Sequence, residues 1–389
     1  MNGRGANGAH RPTVTVVAHA IDRSGQGMER LHARLIEELS EEFRFVVITG
    51  SIDAATAAWA DEIVKVRIPR RPIPLRFAVF ALTASFALWR RRGASLVHTC
   101  GAIVLPQVDF ISVHLCQAGV IAANGGRLAP RGASRVRSVN TAVLKIMARA
   151  MERRAFTHGA SAMVVAERGR AEISRFYPNT PVILTENAVP DLPAPTVARA
   201  AMRQALGVED RRVILMVGGD WALRGVGLVL EALTMLDDDD VVLVVVGRGD
   251  AASLRRAAGE RGLANRVVLL GQRSDLADLY GAADVFVVAS AYETFSLVLV
   301  EAARSHLPIV TTNVGVASTL HDGADGPGLL LAERTPEALA AGIADVFADP
   351  VDSVARAERA FERSQRFTVD RLVSAVRAAY HAAGEGPRS

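Results

Sequence analysis

The segment Ala289-Ser-Ala-Tyr-Glu-Thr-Phe-Ser-Leu-Val-Leu-Val-Glu-Ala-Ala303 places two carboxylates, Glu293 and Glu301, eight positions apart directly after an apolar run. A carboxylate accepts two hydrogen bonds at once, which suits it to gripping the hydroxyls of a sugar or a ribose. A helix starting there would also present unpaired N–H groups and a positive dipole end to a diphosphate. A second segment, Val217-Gly-Gly-Asp-Trp-Ala-Leu-Arg-Gly225, sets the cation Arg224 in a Gly-containing turn directly after another apolar run. His98 and His114 each close an apolar run. Ser24-Gly-Gln-Gly-Met-Glu-Arg30 follows the first such run, and its Gly25 and Gly27 would let backbone N–H groups approach a phosphate. By residue type alone these groups point to a bound phosphorylated nucleotide ligand.

Short β-rich runs alternate with longer segments of helical period, the pattern of parallel sheets built from βαβ units. The first series of strands is expected at 13–18, 45–49, 96–99, 110–113, 162–165 and 182–185. The second is expected at 213–217, 241–246, 267–269, 285–289 and 308–312. Between them Pro190, Pro193 and Pro195 can sustain neither a helix interior nor a central strand, so residues 187–195 read as a linker. The acidic run Asp237–Asp240 falls between a helical segment and a strand, where a solvated turn is the expectation rather than a Mg²⁺ site.

A chain of 389 residues exceeds what one core usually serves, so two domains are expected. The two cysteines, Cys100 and Cys116, lie in apolar stretches without ligand spacing, and the polar opening lacks the apolar core of an export signal; the expected location is cytoplasmic. Net charge is +4, yet residues 1–190 carry 25 Lys or Arg against 14 Asp or Glu, whereas the remainder carries 20 against 27. That asymmetry suits an N-terminal half facing an anionic partner such as a membrane surface. Two segments carry it. The apolar stretch 77–89 lies between Arg70, Arg71 and Arg76 on one side and Arg90, Arg91 and Arg92 on the other. The basic stretch Arg127–Arg154, with Arg131, Arg135, Arg137, Lys145, Arg149 and Arg153 inside it, is opposed only by Glu152. The basic stretch 127–154 has no interleaved aromatics and no nucleic-acid-binding module is visible, so a nucleic-acid partner is not expected.

Glu293 and Glu301, around a core of Thr294-Phe295-Ser296-Leu297, resemble the signature of glycosyltransferase family 4, with both usual glycines replaced by small hydroxyl residues. Val217–Gly225 resembles that family's diphosphate-binding turn, with Gly218 in place, Arg224 at the Lys position and Gly219 where an Arg is usual. The segments around Gly247, 266–271 and 276–285 resemble its nucleotide-side elements, and Ser24–Arg30 its Gly-Gly-x-Glu-Arg loop with Gln26 replacing one glycine. The resemblance runs from Thr13 to Ala382.

It implies a GT-B architecture, two Rossmann-like doubly wound α/β domains facing each other across a cleft. Residues 1–12 would be a disordered lead-in, 13–190 the acceptor-side domain, 191–366 the nucleotide-sugar-binding domain, and 367–389 a helix crossing back with its tail. Arg224, Glu293 and His114 would be catalytic. Gly25, Gly27, Gly218, Gly219, Arg224, Gly247, Glu293, Thr294, Phe295, Ser296, Leu297 and Glu301 would hold the donor, and His98 with His114 would form the acceptor side. Retaining hexosyl transfer without a metal or cofactor is implied, from a UDP-, GDP- or ADP-sugar to a lipid, polysaccharide or small-molecule hydroxyl. A nucleotide-sugar epimerase of the same fold and a non-catalytic, membrane-associated sugar-nucleotide binder are the alternatives.

Overall fold

The computed structural model describes residues 11–385 except 26, 92, 94, 124, 129–133 and 322–329. Gln26, Arg92 and Arg131 therefore lie outside the described residues, as does the lead-in up to residue 10. The chain divides into two compact units, one formed by residues up to Asn187 together with Val369 onward, the other by Ala188–Thr368.

In the first unit, strands β1 (Thr13–Ile21), β2 (Arg44–Ile52), β3 (Glu62–Lys65), β4 (Leu96–Cys100), β5 (Phe110–Val113), β6 (Ser161–Val164) and β7 (Val182–Leu184) form one sheet. Its order is β3-β2-β1-β4-β5-β6-β7, every described pairing being parallel. Helices α1 (Gly27–Leu39), α2 (Ala54–Ala57), α3 (Ile73–Trp89), α4 (Gln117–Ala123), α5 (Arg135–Thr157) and α6 (Glu167–Phe176) connect them. The central strands are buried along their length because helices cover both faces, so Val14, Val16 and Val17 are all inside although they alternate in direction.

The second unit repeats the plan. Its elements are α7 (Arg199–Leu206), β8 (Arg212–Val217), α8 (Val226–Leu233), β9 (Val241–Val246), α9 (Ala251–Glu260), β10 (Val267–Gly271), α10 (Leu276–Ala282), β11 (Val285–Val288), α11 (Leu297–Arg304), β12 (Ile309–Thr312), α12 (Ala317–Leu320), β13 (Leu330–Leu331), α13 (Pro336–Ala348) and α14 (Pro350–Ser364). The sheet order is β10-β9-β8-β11-β12-β13. The last helix, α15 (Val369–Glu385), packs with the first unit.

The order of each sheet reverses once, between β1 and β4 and between β8 and β11. Beyond the carboxyl ends of the strands at such a reversal the adjoining loops diverge and leave a crevice, which is where open α/β sheets bind ligands.

Two details differ from the sequence expectation. Strands β3 and β13 were not expected; each sits at a sheet edge, and neither Glu-Ile-Val-Lys nor a two-residue bridge carries a readable period. Arg11 belongs to the fold rather than to the lead-in: its guanidinium pairs with Asp61 at 2.6 Å and donates to the carbonyl of Phe43. The Asp237–Asp240 run is the solvated turn expected of it, with the Asp239 side chain 99% exposed, and surface pairs join Asp238 to Arg212 and Asp239 to Arg266, each at 3.0 Å.

Candidate functional site

The loop after β8 and the loop after β11 meet at the second unit's reversal point. Gly218 (φ 147°) turns the chain off β8, and Gly247 (φ 120°) turns it off the neighbouring β9. A Cβ at Gly247 would lie 2.1 Å from the carbonyl oxygen of Gly218, so the two loops abut through bare backbone. Gly225 (φ 75°) caps the start of α8, where a Cβ would meet the carbonyl of Ala289 at 2.2 Å. This close approach carries Arg224 to the loop after β11. Its Nη1 forms an ion pair with Glu293 Oε1, while Nε donates at 3.4 Å toward the carbonyl of Gly219. Burial lowers the guanidinium's pKa and Asp220 opposes that shift; Arg224 stays charged in any case.

Glu293 is positioned by residues that the sequence reading did not single out. Ser290 Oγ donates to Glu293 Oε1 at 2.9 Å, and Thr312 Oγ1 donates to the Ser290 carbonyl at 2.7 Å. Gly315 (φ 55°) donates its N–H to the Glu293 carbonyl, and Val316 donates to that of Phe295. Arg334 donates from Nε to the Ala289 carbonyl at 2.8 Å, bringing another guanidinium to the end of β11. Nothing in the sequence around Arg334 signals this. A small hollow lined by Gly218, Trp221, Arg224, Ser290 and Val298, among others, lies at these strand ends. Glu301, within α11, accepts from the hydroxyl of buried Tyr280 at 2.9 Å.

In the first unit, Gly25 lies in the turn after β1 and Gly27 opens α1, beside the reversal between β1 and β4. His98 is fully buried, and its expected place on the acceptor side is corrected by its hydrogen bonds. His32 Nδ1 lies 2.9 Å from the Met28 carbonyl, which can only accept, so His32 carries its proton there and its Nε2 is an acceptor. Ser112 Oγ donates to that Nε2 at 3.3 Å and in turn accepts from His98 Nε2 at 2.8 Å. His98 Nδ1 then accepts from the Tyr380 hydroxyl at 2.6 Å. The chain runs in one direction from α15 to α1 with every ring nitrogen used. His98 therefore packs the interior. His114, at the end of β5, is only partly buried, and its Nε2 has no hydrogen-bond partner.

Residues 211–349 match the family model described as glycosyl transferases group 1. Over this stretch the second unit is similar to the group 1 glycosyltransferases. It is 36% identical over 186 residues to a D-inositol 3-phosphate glycosyltransferase of Mycolicibacterium gilvum, the match covering 45% of this chain and 42% of that one. The chain spans about half the length of the curated relatives it matches. Across 96% of its length it shares the fold of WaaG, a glycosyltransferase involved in lipopolysaccharide biosynthesis (TM-score 0.70, 21% identity, all of that chain covered). HepE of Anabaena, solved with UDP and glucose, also shares the fold (TM-score 0.66, 18% identity, 96% of this chain and 100% of that one). The architecture is thus the GT-B type, with two Rossmann-like units.

Against the group 1 glycosyltransferase pattern, the replaced glycine at 296 has a structural consequence. Ser296 adopts φ 68° and ψ 77° as it caps α11, a left-handed conformation that a Cβ disfavours by about 1 kcal/mol or more. Its Oγ is buried without a hydrogen-bond partner. Thr294, Phe295 and Leu297 complete the turn, with Phe295 packed edge-on against Phe367. Ser296→Gly is expected to raise the stability of the second unit by about 1 kcal/mol, since relief of strain and of an orphaned hydroxyl outweighs glycine's greater freedom when unfolded. Calorimetry would register this as an upward shift of that unit's transition. A downward shift would mean that the hydroxyl stabilises the loop.

Proposed function

We propose that this chain is a retaining, metal-independent glycosyltransferase that moves a hexose from a nucleotide-diphosphate sugar to a hydroxyl acceptor on a lipid, polysaccharide or small molecule. The observation that carries the reading is the convergence of Arg224 and Glu293 at the reversal point of the second unit's sheet, beside the start of α11. In this reading Glu293 holds hexose hydroxyls, Glu301 the ribose, and the α11 N–H groups and Arg224 the diphosphate. Charge accumulates on the leaving phosphate as the glycosidic bond breaks, and a guanidinium already fixed there stabilises it without reorganisation.

The acceptor's proton needs a base. Glu293 is committed to Arg224 and Ser290, His98 to its buried chain, and His114 has its pKa pushed down to about 3 by burial, with the nearby His32 adding to the shift. We take an oxygen of the donor's own phosphate as the proton acceptor, which would put attack on the face the leaving group departs from and so retain configuration, as the resemblance to glycosyltransferase family 4 implies. A UDP-sugar is the first candidate donor, because HepE shares the fold and was solved with UDP and glucose. The enzyme acts in the cytoplasm, with the anionic inner membrane surface as the partner of its basic first unit.

Screening UDP-, GDP- and ADP-sugars by thermal unfolding tests the reading. A matching donor at about 100 times its Kd adds about 2.7 kcal/mol to the second unit, a rise of several degrees. Nucleotide release should then require an acceptor and continue in excess chelator. Lack of stabilisation by any nucleotide sugar overturns the proposal, and conversion of the donor sugar without an acceptor points to an epimerase.

A further inference from the structure

The first unit carries an exposed surface that its sheet does not explain. Among the described residues, nine of the sixteen exposed large hydrophobic side chains lie on α3 and α5, so the exposure is a local patch rather than ordinary scatter. On α3, Leu82, Phe86 and Trp89 follow one another at helical spacing and are 60%, 56% and 54% exposed. On α5, Val136, Val139 and Ile146 do the same. The two helices pack together, and the loop at Leu105 ties them, donating its N–H to Ser85 on α3 at 2.8 Å and accepting from Arg154 on α5 at 3.2 Å.

The charge on these helices is one-sided. Arg90, Arg149 and Arg153 are exposed, with Arg90 lying 5.8 Å over the ring of Phe86. The two helices hold a single acidic residue, Glu152, and the fold removes it from the surface: it is 4% exposed, accepting from the N–H groups of Gln117 and Ala118 and from the Tyr177 hydroxyl. What remains outside is apolar and cationic.

We infer that α3 and α5 form a docking face for the surface of an anionic lipid bilayer. This deepens the membrane part of the function proposed above, and it is measured without donor or acceptor. The chemistry selects this occupant. A second copy of the chain, related by a two-fold axis, would set the arginines against their own counterparts. A bilayer interface accepts the aromatic and aliphatic side chains while its headgroups neutralise the guanidinium groups. The seventeen residues of α3 extend about 26 Å as a helix, shorter than a span requires, and no helix among the described residues is long and apolar enough to cross a membrane. The helix therefore lies in the plane of the interface.

Co-sedimentation of the full chain with phosphatidylcholine vesicles, with and without phosphatidylglycerol, tests this. Binding is expected only to the anionic vesicles and should weaken as salt is raised. Phe86→Glu with Trp89→Glu should lower the partition coefficient at least about tenfold, and so should Arg149→Glu with Arg153→Glu. Trp89 emission should shift to the blue on binding, a shift that Trp89→Phe abolishes. The same variants should keep the wild-type melting temperature and the wild-type response to nucleotide sugars, so that failure here and failure of the transferase proposal are separately visible. Equal binding to neutral vesicles, undiminished binding by both paired variants, or a solution dimer that Phe86→Glu disperses would each overturn the inference.

Discussion

Arg224→Ala is expected to lower glycosyl transfer about a hundredfold while leaving the second unit folded, because one preorganised donor to a developing anion is commonly worth that much. Arg224 is already held where the charge would form, by Glu293 on one side and by the backbone turn through Gly219 on the other. Its side chain is 31% exposed and that of Glu293 13%, so the pair works in a partly desolvated setting where charge is less screened. Arg224→Lys should recover only part of the loss, since an ammonium keeps the charge but not the planar fork. Glu293→Ala removes a sugar contact and the anchor of Arg224 together, and should cost at least about tenfold. The double variant should then be little worse than the poorer single one, as expected for residues acting as a unit. Initial rates of nucleotide release, with the donor found by the thermal screen, measure all four variants. Full activity in both single alanine variants would remove the site from where it is placed here.

The pairing of Arg224 with Glu293 follows from topology more than from local sequence. Strands β8 and β11 are neighbours although three strands' worth of chain separates their loops, because the sheet grows outward from β8 in one direction and from β11 in the other. Gly225 permits the close approach, since any side chain there would strike Ala289. Thr312 and Gly315 then fix the Glu293 loop from the next strand over, and Ser290 holds the carboxylate from within that loop. The carboxylate and the guanidinium are conspicuous; what makes them one site is three loops of a single sheet edge.

That division explains what the amino-acid sequence disclosed and what it withheld. The central strands were legible because β-branched runs such as Val241–Val246 leave no other option, whereas β3 and β13 were too short to show a period. Arg224 and Glu293 were legible by type and setting. Thr312 was not, since the partner of its hydrogen bond lies in another loop, and Ser290 was not, since only the fold of its own loop turns its hydroxyl onto Glu293. His98 was misplaced for a related reason: a histidine near a strand end faces either the edge or the core, and what decides it is Tyr380, 282 positions away. Glu152 was legible only as the one acidic residue of the basic stretch 127–154, and its contact with the start of α4 is what shows it as buried.

The four buried or half-buried histidines of the first unit lead to the second large effect, a steep loss of stability in mild acid. Burial holds His32 and His98 below the ordinary imidazole range, and neighbouring histidines push His98 further down. His19 is lowered to about 4 by burial with help from Arg76, and His114 to about 3 by burial with help from His32. The hydrogen-bonded chain through His32 and His98 has no place for an extra proton, because each ring already donates once and accepts once. In the unfolded chain all four titrate near 6.5. Their folded pKa values are depressed, so the stability they contribute is fully present above that value and falls as the pH drops below it, levelling off only at the folded pKa values. Each ring that stays neutral in the folded unit costs about 1.4 kcal/mol per pH unit, so His19 and His114 together cost about 4 kcal/mol at pH 5, and His32 and His98 add to the loss in the same direction, a sizeable part of the whole stability of a domain. The first unit should therefore lose stability steeply as the pH falls below about 6, before the second, which has different titrating groups. His114→Leu removes one titrating ring and should flatten the slope by about a quarter. Denaturant unfolding followed across this range, with proton uptake measured at pH 6, checks it: a flat profile with no proton uptake would mean that these rings are already charged, or solvated, in the folded unit.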